Sequence, residues 1–303
     1  MADFSIIVPH KGKTDLLRRA LASIPLSPRI EVIVVDDASD LTQEEKDNYP
    51  GLDREGCRVI FTTEAGGAGF ARNVGLRHAT GKWLLFMDSD DFFLESCLSL
   101  LEKHYDDPSD LVCFRCTSVW SDSGLPSPRL DKRNAQIDRY KDRPALLEYY
   151  NRYFHTEPWG KMVQRKLLED NGILFEESLC ANDYLFSVLT GFHANSVSYD
   201  DEPLYCVTLR EGSLSWEVFD DPGKLQTRMA VYWNVQSFFR EKGIRIYPFY
   251  KLWEMTGLSK DARLSSQADA FLRSKGVSRL RIFAGWFCFA LRRKLRIGVP
   301  YRA

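Results

Sequence analysis

"KWLLFMDSDDFF" (residues 82–93) joins a mostly apolar run to three aspartates within four positions, and apolar residues follow at once. The apolar run predicts a buried strand that ends at the aspartates. Close carboxylates repel one another, so such a cluster normally has a counter-charge, which is a metal ion, a basic side chain or water. The stretch therefore predicts a buried strand with an acidic site at its end.

The first and second aspartates of this cluster suit a metal ion. Asp88 and Asp90 are two positions apart, so at a strand end their side chains point to the same side. Converging carboxylates bind hard cations such as Mg²⁺ or Mn²⁺, which can also carry a diphosphate and neutralise a phosphate leaving group. The alternative is a solvated turn whose aspartates cap a helix N-terminus. The motif alone leaves both interpretations open.

Strands and helices alternate through the first half of the chain. Apolar runs predict strands at 4–9, 30–37, 57–63, 82–88 and 110–120, and helices are predicted at 14–24, after a capping box at 42–45, at 69–81 (closed by Gly81) and at 94–105. This alternation indicates an α/β, Rossmann-like fold with a mainly parallel sheet covered on both faces. Ligands bind such sheets at the carboxyl ends of the strands. Asp36 and Asp37 end the second strand, so they should share one rim with Asp88 and Asp90.

The second half of the chain is less regular. Residues 121–142 are polar and turn-rich, which predicts a surface excursion. Helices are predicted at 143–154 and 181–194, and a strand at 196–210. Residues 216–303 have a helical pattern and differ in character from what precedes them. We therefore expect an α/β domain over 1–215 and a helical region over 216–303.

Composition is that of an ordinary globular enzyme. The 303 residues are 44% hydrophobic and 27% charged, with a net charge of −1, which argues against a nucleic-acid partner. Seven cysteines show no disulfide-like rhythm and favour a reducing compartment. Cys113 and Cys116 lie on a predicted strand, where they face opposite sides, so we expect inert core thiols. The first residues do not have the pattern of a signal peptide, and no apolar run has the length of a membrane span, so we expect a cytoplasmic location.

Several motifs together resemble one enzyme family. "FSIIVPHKGK", "IEVIVVDDASD", "GGAGFARNVGLRHATGKWLLFMDSDD" and "NDYLF" stand in the order and at the intervals found in the family 2 glycosyltransferases of the GT-A fold. The likeness covers roughly residues 4–215. It implies transfer of a sugar from a nucleotide-sugar donor, often a UDP-sugar, with Mg²⁺ or Mn²⁺ as cofactor. It also implies a glycan acceptor, as in bacterial surface-polysaccharide assembly.

The resemblance assigns the nucleotide-sugar site. Its residues would be Pro9, His10, Asp37, Gly67, Arg72, Asp88, Ser89 and Arg210. Pro9 and His10 would border the nucleobase and Asp37 would hydrogen-bond to it. Asp88 would contact the ribose or the metal, and Asp90 would be the direct metal ligand. The family's usual Tyr-Asn after the first proline is replaced here by "HKG".

Gly67 has a backbone role in this assignment, and Arg72 and Arg210 each have a structural alternative. Gly67 would let the backbone approach the nucleotide. Arg72 is either an anchor in the site or a structural ion pair. Arg210, in "LREGSLS", could pair with the diphosphate, since a guanidinium binds phosphate in a bidentate manner, or it is an exposed loop residue.

The catalytic base of the family is usually the aspartate of a Glu-Asp pair at a helix start. Here the pair is Asn182–Asp183, so the resemblance implies Asp183 as the base. It would accept a proton from the acceptor hydroxyl as that oxygen attacks the anomeric carbon, and direct displacement would invert the configuration. The alternative is that Asp183 only caps the helix. Asn182 stands where the family usually has the glutamate.

"EPWGKMVQRKLL" resembles a Trp-Gly-Lys segment that precedes the base in many bacterial members. Trp159 offers a flat face for a sugar ring and Lys161 a cation near donor or acceptor. For Trp159, packing in the core is the alternative.

The last residues, 278–303, form a basic amphipathic segment. Its apolar part, Ile282 to Leu291, is too short to span a bilayer, and six arginines and lysines bracket it. Residues 278–297 could lie on an anionic membrane surface, which would suit a lipid-linked acceptor and a peripheral position on the inner face of the cell membrane. The alternative is a helix packed on the enzyme.

The motifs disfavour two other enzyme classes. A sugar-nucleotide pyrophosphorylase would have a glycine-rich loop after the first strand, where "PHKGKTD" stands instead. Phosphatases with an Asp-x-Asp nucleophile place it after the first strand and not the fourth. A non-catalytic sugar- or nucleotide-sugar-binding module remains the alternative outside enzymes, although Asp90 and Asp183 are both present.

Overall fold

The computed structural model describes residues 2–210, 222–244 and 262–278, and the single positions 280, 281, 283, 284 and 287. Contacts between residues divide the chain into two compact units. The first comprises Met1–Ser178 and Leu185–Glu211, and the second Leu179–Tyr184 and Gly212–Ala303. The predicted boundary between residues 215 and 216 stays a prediction.

The strands of the first unit form one mixed sheet. They are β1 (Phe4–His10), β2 (Ile30–Asp36), β3 (Cys57–Phe61), β4 (Trp83–Phe86), β5 (Phe92–Phe93), β6 (Leu111–Trp120), β7 (Lys161–Gln164) and β8 (Val197–Leu209). Their order across the sheet is β3-β2-β1-β4-β7-β6-β8-β5. The four strands at the β3 end are parallel, as predicted, because their apolar runs need cover on both faces. β7 runs antiparallel to β4 and β6, and β5 antiparallel to β8.

Helices cover both faces of this sheet. They are α1 (Asp15–Ser23), α2 (Gln43–Asp47), α3 (Gly67–His78), α4 (Cys97–Lys103), α5 (Asp131–Tyr140), α6 (Pro144–Tyr153), α7 (Arg165–Asn171) and α8 (Tyr184–His193). The predicted capping box is confirmed, because Thr42 and Glu45 bond to each other's backbone N–H. Cys113 and Cys116 lie buried in separate core clusters, which confirms the prediction that they face opposite sides of β6.

Three predicted elements differ in the structure. Helix α3 begins at Gly67 and ends at His78, so Gly81 does not close it. Gly81 instead packs against β1, where an added Cβ would lie 2.7 Å from Ser5 N. The helix predicted at 94–105 begins only at Cys97, because Phe92 and Phe93 pair with β8. The excursion at 121–142 contains α5, which is anchored by the fully buried Ile137.

The second unit is helical over 222–241 and 262–274, as the pattern of 216–303 predicts. Helices α9 (Pro222–Glu241) and α10 (Ala262–Ser274) bury a small cluster made of Leu225, Met229, Ala268, Leu272 and Val277. Most of the basic segment 278–297 lies outside the described residues. Of its described positions, Leu280, Phe283 and Phe287 are exposed. No helix in the described ranges is long and apolar enough to cross a membrane.

Candidate active site

The acidic rim forms where β2 and β4 end. Both strands pair in parallel with β1, which lies between them, so Asp36–Asp37 and Asp88–Asp90 follow strands that end at the same edge. This is the arrangement that the sequence predicts. It follows from strand direction alone, because parallel strands present their carboxyl ends together.

Asp36 is the buried centre of a hydrogen-bond network at this edge. Its carboxylate accepts from Tyr49 Oη at 2.8 Å and from the backbone N–H and hydroxyl of Ser39 at 2.9 and 2.7 Å, and it lies 3.2 Å from His10 Nδ1. Burial opposes ionisation, but the hydrogen bonds from His10, Ser39 and Tyr49 outweigh it and lower the pKa of Asp36 to about 2. Asp36 is therefore a structural carboxylate that fixes the loop after β2.

His10, predicted beside the nucleobase, is nearly fully buried in this network. Its Nδ1 lies 2.5 Å from Tyr49 Oη, and its Nε2 lies 3.0 Å from the carbonyl of Lys13. Pro9 is buried within β1, opposite Val35 of β2. Both residues shape the loop from inside, and their predicted contact with a base stays a prediction.

Asp37 holds the start of α3. Its two carboxylate oxygens accept the N–H groups of Gly66 and Gly67 at 2.7 and 3.0 Å, and Lys11 Nζ lies 3.2 Å away. Gly67 has a φ of +82°, a conformation that side chains disfavour, so glycine is required at this turn. The structure thus brings together two predicted site residues, Asp37 and Gly67. Its predicted hydrogen bond to a nucleobase stays a prediction.

Asp88 forms an ion pair with Arg72. Arg72 Nη2 donates to Asp88 Oδ1 at 2.5 Å, and its guanidinium lies over the ring of Phe175 at 5.3 Å. Arg72 is buried, whereas about a third of the Asp88 side chain (35%) is exposed. Arg72 therefore forms a structural ion pair with Asp88, and its predicted role as an anchor in the nucleotide site stays a prediction.

Asp90 is the second carboxylate that faces the rim. Its Oδ2 lies 3.8 Å from Arg210 Nη2, and 34% of its side chain is exposed. Burial and the nearby Asp88 carboxylate raise the pKa of Asp90, while Arg210 opposes this rise. Arg210 directly follows β8, so the last described residue before 222 brings a guanidinium to the acidic cluster. Ser89, between the two aspartates, is half-buried.

Asp91 is an important residue that the sequence interpretation missed. It is buried, and its carboxylate accepts from the Thr208 N–H at 2.7 Å and from Tyr205 Oη at 2.9 Å. Burial and the charges of Asp88 and Asp90 raise its pKa well above the usual range. Only the position of Asp91 against the apolar Phe92 and Phe93 signalled its burial. Because both of its oxygens accept hydrogen bonds from β8, Asp91 supports the turn that carries Asp88 and Asp90.

Trp159 and Lys161, predicted to contact a sugar, lie in the core. Trp159 is 4% exposed and stacks on Tyr205, with ring centroids 5.6 Å apart. Lys161 is 3% exposed, and its Nζ donates to the carbonyl of His155 at 2.6 Å. Neither side chain presents a surface to a ligand, because both belong to or adjoin the short strand β7 inside the sheet. The assignment of these two residues is therefore corrected to packing.

The predicted base, Asp183, directly precedes α8 and is half-buried. It falls within the second compact unit. Its proposed role in proton transfer stays a prediction.

The cluster fits a divalent cation that is shared with a substrate. Within the described part of the chain, no three His, Cys, Asp or Glu side chains converge as a complete metal site. Asp88 and Asp90 supply two partly exposed carboxylates, which are hard oxygen ligands. Mg²⁺ commonly takes one or two carboxylates together with substrate phosphates and water. The donor set therefore suits a cation that binds together with a diphosphate.

Comparison with protein families and curated sequences now identifies the chain's relatives. Residues 5–172 match the family described as Glycosyl transferase family 2. The poly(ribitol-phosphate) beta-N-acetylglucosaminyltransferase TarS of Staphylococcus aureus is 31% identical over 70% of this chain and 36% of its own length. The poly(ribitol-phosphate) beta-glucosyltransferase of Bacillus spizizenii is 27% identical over 69% of this chain and 32% of its own length. This chain thus spans about a third of the length of these two relatives.

Solved structures show the same fold. Staphylococcus aureus TarS 1–349 in complex with UDP-GlcNAc superposes with a TM-score of 0.64 at 23% identity, over 90% of this chain and 80% of that one. The mannosyltransferase PcManGT of Pyrobaculum calidifontis, in complex with GDP-Man and Mn²⁺, gives 0.53 at 17% identity, over 99% and 82%. The GT-A fold expected from the sequence is confirmed, and the family match over more than half of the residues establishes that this chain belongs to glycosyl transferase family 2.

Proposed function

We propose that this protein is a metal-dependent, inverting glycosyltransferase that moves a sugar from a UDP-sugar to a glycan acceptor in bacterial surface-polymer biosynthesis. The observation that carries this proposal is the pair of partly exposed carboxylates, Asp88 and Asp90, at the strand-end rim. A guanidinium lies beside each of them, Arg72 at 2.5 Å and Arg210 at 3.8 Å. Such a mixture of carboxylates and guanidiniums suits a diphosphate that arrives with a cation.

Each rim residue has a distinct role in this proposal. Asp88 and Asp90 would hold Mg²⁺ or Mn²⁺, which when bound supplies Lewis-acid neutralisation of the diphosphate. Arg210 would pair with the diphosphate. Its guanidinium is partly exposed beside Asp90, so the diphosphate could replace Asp90 as its partner. Asp37, Gly67 and Ser89 would line the nucleotide side.

Asp183 would act as the general base. An aspartate accepts the proton of the acceptor hydroxyl, and the oxygen then attacks the anomeric carbon on the face opposite the leaving diphosphate. The C–O bond to the diphosphate breaks as the new glycosidic bond forms, so the configuration inverts. Asn182 replaces the usual glutamate and adds no negative charge beside the base.

The relatives support the donor and the class of acceptor. TarS is named for transfer of N-acetylglucosamine to poly(ribitol-phosphate), and its 1–349 fragment binds UDP-GlcNAc. UDP-GlcNAc and UDP-glucose are therefore the first donors to test, with a polyol-phosphate or other surface glycan as acceptor. Family membership also disfavours the pyrophosphorylase alternative.

The location proposed is cytoplasmic and peripheral, with residues 278–297 touching the inner face of the cell membrane and a lipid-linked acceptor. Exposure of Leu280, Phe283 and Phe287, together with the flanking basic residues, supports this proposal. The test is sedimentation with vesicles. Binding to phosphatidylglycerol vesicles should exceed binding to phosphatidylcholine vesicles, and changing Phe283 and Phe287 to Ser should abolish it. Equal, negligible binding to both would contradict the membrane contact.

Two variants test the enzymatic proposal. Asp90→Asn should abolish the Mn²⁺-dependent part of UDP-sugar binding, measured by calorimetry. Asp183→Asn should retain binding and lose transfer to an acceptor. Asp106→Asn is the matched control, since its side chain is 92% exposed and lies outside the rim.

The outcomes separate a transferase from a non-catalytic binding module. Absence of binding and of turnover with UDP-, GDP- and dTDP-sugars would contradict a transferase. Binding without turnover in the unmodified protein would favour the non-catalytic module. Near-normal transfer by Asp183→Asn would show that another group is the base.

A further inference from the structure

Two residues of β8, Tyr205 and Thr208, form hydrogen bonds with the aspartate cluster. Tyr205 Oη accepts the backbone N–H of Asp88 at 2.9 Å and lies 2.9 Å from Asp91 Oδ2. An amide can only donate, so the single phenolic proton is left for Asp91. When Asp91 is ionised, this chain of hydrogen bonds runs from the Asp88 amide through the Tyr205 hydroxyl to the Asp91 carboxylate.

Thr208 holds the other end of the same turn. Its N–H donates to Asp91 Oδ1 at 2.7 Å, and its hydroxyl donates to the carbonyl of Asp90 at 2.7 Å. Arg19 Nη2 donates to that carbonyl as well, at 2.6 Å. The Tyr205 side chain therefore bonds to the backbone of Asp88, and the Thr208 side chain bonds to the backbone of Asp90. The carboxylates of Asp88 and Asp90 take no part in these bonds and face the rim.

Tyr205 is itself held rigidly. It is fully buried, its ring lies nearly parallel to that of Trp159 (10°), and Phe93 contacts it edge-on at 5.4 Å. Arg133 lies over the other partner of this stack, 5.1 Å from the Trp159 ring. A stack of this kind leaves the phenol no alternative rotamer without opening the core. The position of its hydroxyl is therefore set by the core.

We propose that Tyr205 and Thr208 are positioning residues for the cation and diphosphate site. They set the direction of the Asp88 and Asp90 carboxylates by fixing the backbone that carries them. This inference rests on the proposed function. It also gives Trp159 an indirect role, because the tryptophan that the sequence placed against a sugar supports the phenol that orients the carboxylates.

Removal of the Tyr205 hydroxyl has a specific consequence. Tyr205→Phe keeps the ring and its stack but leaves a buried amide and a buried carboxylate oxygen each short of a partner. The turn must then shift or admit water, and the two carboxylates no longer converge as before. The effect should fall on cation binding more than on recognition of the nucleoside.

The experiment compares Tyr205→Phe with Tyr199→Phe by calorimetric titration with UDP, with and without Mn²⁺. Tyr199 is the matched control because it lies on the same strand and its hydroxyl also bonds a carboxylate, that of Asp201 at 2.9 Å, away from the rim. Tyr205→Phe should weaken Mn²⁺-dependent binding by about fivefold or more, and saturating Mn²⁺ should restore it. Tyr199→Phe should stay within about twofold.

Thr208 provides an independent variant in case Tyr205→Phe folds poorly. Thr208→Val should weaken Mn²⁺-dependent binding, and Thr208→Ser, which keeps the hydroxyl, should restore it. UDP affinity without Mn²⁺ should be the same in all four variants, which a general loss of structure would not allow.

The results test the positioning role separately from the proposed function. If the unmodified protein binds no UDP with Mn²⁺, the proposed function itself is wrong. If the unmodified protein binds and Tyr205→Phe, Thr208→Val and Tyr199→Phe all match it, the positioning role is wrong and the proposed function stands.

Discussion

Arg72 on α3 donates a 2.5 Å hydrogen bond to Asp88 at the end of β4, from a buried guanidinium to a partly exposed carboxylate. The pair joins helix to strand at the point where the acidic rim begins. About a third of the Asp88 side chain stays exposed beside this bond. Asp88 can therefore keep its partner and still contribute an oxygen to a cation.

Arg72→Met should destabilise the fold and weaken donor binding. The change leaves the Asp88 carboxyl group without its partner while keeping most of the packing against Phe175, so we expect a loss of about 1–3 kcal/mol in the free energy of unfolding. Urea denaturation measures this loss. Arg77→Met, on the exposed side of the same helix, is the control and should change stability by less than about 0.5 kcal/mol. Equal effects of the two changes would contradict a structural role for the ion pair.

The network around Asp36 predicts a component of stability that depends on pH. Its pKa in the folded protein is about 2, lowered from 3.8, so its ionised form stabilises the fold by about 2 kcal/mol at neutral pH. Because the folded-state pKa is the lower one, this stability is complete above pH 4 or so and is lost as the pH falls toward 2.

Asp36→Asn removes this component. Between pH 6 and pH 3 the unmodified protein should lose about 1 kcal/mol more than the variant, measured by urea denaturation at each pH. Asp106→Asn, an exposed carboxylate, should follow the unmodified protein. Parallel pH curves for the unmodified protein and Asp36→Asn would show that the network does not favour the ionised form.

The parallel half of the fold and the rim were predictable because both depend on local pattern. Strands β1, β2 and β4 are mostly apolar runs, and parallel strands must present their carboxyl ends together. Asp36, Asp37, Asp88 and Asp90 thus follow from strand assignment alone.

Other features depend on partners that are distant in sequence. β5 is two residues long and exists because β8 pairs with it. Asp91 meets its partner Thr208 across 117 positions, so no local pattern shows that its carboxylate is occupied. Helix α5 was missed because its sequence is mostly polar and only Ile137 is buried among its ten residues. Trp159 and Lys161 matched a family motif, but their burial depends on Tyr205 and His155.

Gly191 on α8 should tolerate no side chain. An added Cβ would clash with the carbonyl group of Arg152, whose Nη1 in turn donates to Gly191 O at 2.6 Å. Backbone atoms cannot move aside as a flexible side chain can, so Gly191→Ala should cost about 2–4 kcal/mol of unfolding free energy. Gly172→Ala is the control, since its Cβ would have open space and only its φ of +59° is strained, which costs about 1–2 kcal/mol. A smaller loss for Gly191→Ala than for Gly172→Ala would contradict the close packing of α8 on α6.

Lys161 distinguishes a core role from a substrate contact. Lys161→Ala leaves a cavity and removes the donor to the His155 carbonyl, so the free energy of unfolding should fall by about 2–4 kcal/mol. The Michaelis constant for the sugar donor should stay within about twofold, because the ammonium does not reach the surface.

Lys166→Ala is the control for this change, since the Lys166 side chain is 77% exposed and should affect neither quantity. The comparison requires unfolding curves and donor kinetics on the same preparations, below the temperature at which Lys161→Ala begins to unfold. A Michaelis constant that rises about tenfold or more, with stability unchanged, would show that Lys161 contacts the substrate. Loss of a ground-state contact raises that constant without changing the free energy of unfolding.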